Sequence, residues 1–236
     1  MGITRRYFLG CVAGSLTAGL PFDVPRRVEE SSRRVLLDLG EHCGLRESVA
    51  GYESALASLG TTSRCTLLIV PAALDIPPPA LRAIESCLCA GATVILESGA
   101  GFAGGRDFGA HRITLRDHLG VQIEPPVRLW SARPHSCGIP YIDYTWPSPA
   151  KIRDFSHAVP LGRHQTGGEI IARVDGLPVG LRRRTGPGAL IFLGSPLGPA
   201  LWAGDAEARR WFFDVVTGER GGQRAAGNAH QGVDQR

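Results

Sequence analysis

The stretch Cys89-Ala90-Gly91-Ala92-Thr93-Val94-Ile95-Leu96-Glu97-Ser98-Gly99-Ala100-Gly101 decides the fold. Its middle, Ala92 to Leu96, is a short unbroken apolar run rich in β-branched residues. That is the signature of a strand buried on both faces. Gly91 stops whatever precedes it, and the small residues after Leu96 make a tight turn. Upstream, Ala80 to Ala90 carries apolar residues at helical spacing (Leu81, Ile84, Leu88), entered through the proline-rich Ile76-Pro77-Pro78-Pro79. A strand entered from a helix of that length pairs in parallel with another strand.

Further upstream the pattern repeats. Thr66-Leu67-Leu68-Ile69-Val70 is a second buried run, closing on Pro71. From Leu45 to Leu59, Val49, Tyr52, Leu56 and Leu59 recur at spacings of three and four, which predicts an amphipathic helix stopped by Gly60. Arg34 to Leu39 is another strand candidate. Downstream the character changes. Leu115 to Leu119 reads as a short helix and Val121 to Glu124 as a short strand, followed by an irregular, proline-rich stretch from Pro125 to Pro160. Glu169–Val174, Val179–Arg184 and Ala189–Leu193, separated by Asp175-Gly176 and Gly186-Pro187-Gly188, predict an antiparallel meander. Asp205 to Val216 is a last amphipathic helix, with Ala208, Trp211, Phe212 and Val215 on one side. The expected domain is 34–217, with a linker at 23–33 and a tail at 218–236 that lacks periodicity and is expected to be disordered.

The N-terminus, Thr4-Arg5-Arg6-Tyr7-Phe8-Leu9-Gly10, resembles the twin-arginine export consensus, and a weakly apolar stretch from Cys11 to Leu20 follows it. The resemblance implies that residues 1–22 are a signal, that the twin-arginine translocase is a partner, and that the mature chain is periplasmic. No run reaches the ~18 apolar residues of a membrane span. The 26 basic and 22 acidic residues give a net charge of +4, and Lys151 is the only lysine. The arginines are scattered with no reader motif, so nucleic acid is not an expected partner.

Three segments resemble the class I glutamine amidotransferase-like superfamily, nearest its ThuA-like and β-galactosidase trimerisation-type branches. They are Leu67 to Ala73, Cys89 to Gly99, and Pro178-Val179-Gly180 with Gly188 to Ser195. The resemblance implies a flavodoxin-like α/β three-layer sandwich with a late antiparallel hairpin. Ser98 stands where that family has its nucleophilic cysteine, and Gly194-Ser195-Pro196 stands where it has His-Pro-Glu. No glutaminase activity is therefore expected. The strand expected between the first helix and Leu67 is missing or very short.

Ligands of open α/β sheets gather at the carboxyl ends of the strands. Ser98, on a strand-to-helix turn, is the candidate nucleophile, with the N–H groups of Gly99 and Ala100 as an oxyanion site. His42, on a neighbouring loop, is the candidate base, and Glu97 would orient it. The plain alternative is a turn and nothing more. Cys43 beside His42 is a candidate binding residue; His111, His118 and His135 show no ligand spacing, and no metal or cofactor is expected. Tyr144 and Trp146, with Tyr141 and Asp143, offer a sugar-stacking surface or else pack the irregular segment onto the sheet. Without Cys11, five cysteines are left, an odd number for a disulfide framework. Three functions follow: a non-catalytic binding or accessory domain for a carbohydrate or envelope protein, a hydrolase using Ser98, or an oligomerisation subunit.

Overall fold

The computed structural model describes residues 8–9, 34–59, 66–102, 105–129, 140–153 and 157–218. The rest of residues 1–22, expected to be a signal, residues 23–33, expected to be a linker, the residues beyond Gly218, His135, Cys11, Cys65 and Cys137 lie outside the described residues. Among the described residues, eleven strands and five α-helices follow in the order β1 (Phe8–Leu9), β2 (Arg34–Leu36), α1 (Arg46–Ser58), β3 (Leu67–Ala73), α2 (Pro78–Cys89), β4 (Thr93–Ser98), α3 (Gly105–Leu119), β5 (Val127–Arg128), β6 (Tyr141–Tyr144), β7 (Ala150–Arg153), β8 (His157–Ala158), β9 (Glu169–Val174), β10 (Leu177–Thr185), β11 (Gly188–Leu193), α4 (Gly198–Trp202) and α5 (Ala206–Gly218). Nine strands form one sheet in the order β1-β2-β3-β4-β11-β10-β9-β6-β7, while β5 and β8 pair separately. The β2-β3-β4-β11 ladders are parallel, and the meander onward from β11 is antiparallel.

Side chains alternate between two cores. Ile69, Ile95 and Ile191 face one, closed by Val49 and Tyr52 of α1, Ala200 and Leu201 of α4, and Trp211, Phe212 and Val215 of α5. Leu68, Val70, Val94, Leu96 and Phe192 face the other, covered by Leu81, Ile84 and Leu88 of α2 and Leu115 and Leu119 of α3. The period of two in the strands puts helices on both faces, an α/β sandwich. Each such side chain, fully buried, contributes roughly 1.5–3 kcal/mol relative to exposure.

Local chemistry explains the element ends. Pro78 begins α2, where a missing N–H costs nothing. Asp205 caps α5, its Oδ1 accepting the N–H groups of Glu207 and Ala208 at 2.9 and 3.0 Å. Asp175 and Gly176 both have positive φ, 50° and 81°, as the tight β9–β10 turn requires.

Four expectations needed correction. The run from Leu67 does not close on Pro71 but continues to Ala73 through a register shift between Val70 and Ala73. The shift relieves Pro71 of ladder donation, and Ala72 takes φ 39° with its N–H turned out of the ladder to a side chain. α3 is three turns longer than the 115–119 expectation. Val121 to Glu124 is no strand; Ile123 makes only an isolated bridge to Leu161. The stretch 125–160 contains β5 to β8.

Candidate functional site

Ser98 is the last residue of β4 and is 1% exposed, at the carboxyl edge of the parallel ladders. Its Oγ lies 3.0 Å from Nε2 of His111, which is 0% exposed. The histidine beside Ser98 is thus His111 and not the expected His42. His42 stands on the 40–42 turn with its Nδ1 2.5 Å from Asp75 Oδ1, and that turn is held by Asp38, which accepts the Gly40 N–H and meets Arg46. Its imidazole is thus engaged by a carboxylate beyond β3. The missed residue carried a signal: His111 precedes Leu115 and Leu119 by four and eight residues, so it sits on the buried stripe of α3.

Burial pushes the His111 imidazole down from 6.5 to about 4, so the ring is neutral at pH 7. Among the described residues its Nδ1 is buried with no hydrogen-bond partner. A Ser-His pair of the hydrolytic kind has a third group on that nitrogen, fixing tautomer and orientation. Here the described residues supply none. The expected oxyanion donors are also occupied. Gly99 N–H donates to Ala73 O at 2.7 Å, and Ala100 N–H donates to Ser98 Oγ at 3.3 Å.

The loops at this edge bind one another. Gly44 N–H donates to Ala72 O and Leu74 N–H to His42 O, both at 2.8 Å, with a further bridge between Cys43 and Ala73. Packing is tight enough that a Cβ on Gly99 would lie 2.1 Å from Ala72 O. At the carboxyl ends of β3 and β4 the main chains of these loops are therefore in direct contact.

Glu97 does not orient a histidine. Fully buried, its Oε1 accepts Tyr52 O–H at 2.6 Å and the N–H groups of Leu197 and Gly198 at 2.7 and 3.0 Å. Its Oε2 accepts Ala72 N–H at 3.2 Å. One carboxylate therefore ties α1, the bulge of β3 and the start of α4 to β4. Burial raises its pKa, and the donors from Tyr52, Gly198 and Leu197 pull it back.

The remaining candidates make contacts within the domain. Cys43 donates its thiol to Leu45 O at 3.3 Å, and burial pushes it up to about 11, the opposite of a reactive thiol. Tyr144 is in the core, its ring 4.5 Å from that of Trp211, so it presents no face to a sugar. Trp146 is half-buried; Arg182 lies over its ring at 4.6 Å, and its carbonyl accepts the Trp211 Nε1–H at 2.7 Å. The packing alternative accounts for both. Asp143 pairs with Lys151 at 3.4 Å. Among the described residues no three His, Cys, Asp or Glu side chains gather as a metal site. No described helix is long and apolar enough to cross a membrane.

This geometry defines a class, an α/β sandwich domain whose loops at the ends of β3 and β4 are joined by main-chain hydrogen bonds. No protein-family model and no curated protein matches the chain. Among solved structures, it is similar to a β-galactosidase from Rahnella sp. R3 (TM-score 0.53, 16% identity, 78% of this chain and 32% of that one). It is also similar to a β-galactosidase from Halorubrum lacusprofundi (0.51, 13%, 84% and 32%) and to α-L-fucosidase isoenzyme 2 from Paenibacillus thiaminolyticus (0.51, 12%, 82% and 33%). At these identities the likeness is one of fold. The chain spans about a third of each of these glycosidases.

Proposed function

We propose that the chain is an exported, non-catalytic module of flavodoxin-like, amidotransferase-like architecture, acting by binding or as an accessory subunit at the cell envelope. One observation carries this reading: both N–H groups after Ser98 are already engaged, and the loops around it are joined to one another by backbone hydrogen bonds. Topology supports the flavodoxin-like assignment. The steps β2 to β3 and β3 to β4 run the same way across the sheet, yet α1 and α2 cover opposite faces. The two crossovers therefore have opposite hands, the mark of a strand lost beyond β2. The similar folds within β-galactosidases and an α-L-fucosidase favour a carbohydrate-processing setting. Export rests on Arg5-Arg6-Tyr7-Phe8-Leu9.

The test is to treat the purified chain with a serine-directed fluorophosphonate and assay glutamine, chromogenic glycosides and short esters. No labelling of Ser98 and no turnover are expected. Labelling at Ser98 that disappears in His111→Gln would overturn the non-catalytic reading. It would favour a second one, a serine hydrolase with His111 as base, for which the 3.0 Å contact speaks. Reporter secretion that survives Arg5→Lys with Arg6→Lys would overturn the export reading.

A further inference from the structure

The outer edge of β2 carries a strand that parallel crossovers alone do not supply. Phe8 pairs antiparallel with Leu36, and Leu9 with Val35, so β1 occupies the position beyond β2. On the inner side, Leu37 N–H donates to Ile69 O at 2.8 Å. Successive N–H groups of a strand point to opposite sides, so the N–H of Leu36 points outward, at β1. α2 covers the face opposite α1, although the strands they link, β2 to β3 and β3 to β4, step the same way across the sheet. The α1 crossover thus has the opposite hand to that of α2, and the position beyond β2 is taken by the antiparallel β1 and not by a parallel strand. An uncovered edge strand is a template for any extended segment.

We propose that the edge of β2 is a strand-acceptor site whose occupant is the chain's own Phe8–Leu9. The docked segment includes both apolar positions of the export motif, a consequence that rests on the export reading. While docked, Phe8 and Leu9 are committed to the sheet, and a receptor for the motif competes with the β2 edge. The precursor thus holds Phe8 and Leu9 of its address paired to β2, and their release bares a sheet edge.

The experiment is residue-resolved amide hydrogen exchange on the full chain and on Phe8→Pro, which cannot donate to the Leu36 carbonyl across the ladder. Leu36 should exchange on the order of tenfold faster in the variant. Leu37, bonded to Ile69, should keep its protection and so report that the domain is folded. A peptide spanning residues 4–12 should restore Leu36 protection in the variant, and the same peptide with Phe8→Pro should not. Equal exchange of Leu36 in the two proteins overturns the proposal. So does protection that grows with protein concentration, because the occupant would then be a second copy. Exchange reads docking alone, whereas failure of the export reading would appear in the secretion assay.

Discussion

Acidification should expose the cost of burying His111. In the folded chain the imidazole is held at about 4, against 6.5 for the free side chain, because protonating it would place a charge in the core beside Ser98. The shift is downward, so between pH 6.5 and 4 the unfolded chain takes up a proton that the folded chain refuses, and stability falls as pH falls. At ~1.36 kcal/mol per decade the loss reaches roughly 3 kcal/mol by pH 4 and then levels off. Against a total of about 5–15 kcal/mol for a domain, that is easily measured. The assay is urea unfolding of the parent and of His111→Leu at pH 7, 5.5 and 4. Glu97, whose shift runs upward, contributes the opposite slope, but it is present in both proteins and cancels in the difference. The variant should lose roughly 3 kcal/mol less than the parent between pH 7 and 4. Parallel losses in the two proteins would refute the reasoning.

Other outcomes follow from the same contacts. Glu97→Leu strands three N–H groups and the Tyr52 hydroxyl in the core. At about 1–3 kcal/mol each this consumes most of the stability, so the variant should lose its cooperative unfolding transition in circular dichroism; a parent-like midpoint would contradict it. Gly99→Ala places a Cβ against the Ala72 carbonyl and should cost about 1–3 kcal/mol in the same titration, whereas an unchanged midpoint would mean the loops are looser than described. With Cys43 pushed up to about 11, only about one thiol in a thousand is ionised at pH 8, so iodoacetamide should alkylate exposed Cys89 far faster, as peptide mass mapping would read.

Most of the parallel half was legible because its strands are continuous apolar runs and its helices keep a clear stripe. What stayed hidden broke a local rule for a tertiary reason. Pro71 argues against a central strand, but the bulge that admits it depends on Glu97, 26 residues later, accepting the Ala72 N–H. α3 read as short because its first turns carry no apolar residue on the buried stripe except Phe108, with polar His111 one turn on. β6 and β7 alternate cleanly, with Ile142, Tyr144, Ala150 and Ile152 inward, but each is four residues long and flanked by prolines. The Ser98–His111 contact joins the end of a strand to the middle of a helix, and only the stripe position of His111 pointed to it.

Placing a cysteine nucleophile at position 98 alone should not create an active site. In Ser98→Cys the thiol would occupy a position 1% exposed, where burial raises its pKa and suppresses the thiolate. His111, neutral and unsupported at Nδ1, is a weak base to draw off the proton. The Gly99 N–H, one of the two donors expected to face an oxyanion, is spent on Ala73 O, and freeing it means separating loops locked by Gly44, Leu74 and Cys43. Residues 194–196 offer glycine, serine and proline but no histidine. The expectation is a folded protein with no ammonia release from glutamine and slow reaction with iodoacetamide at pH 8. Rapid alkylation of Cys at 98 would show that the edge opens in solution, and Ser98 would then have to be reconsidered as a nucleophile in the parent chain.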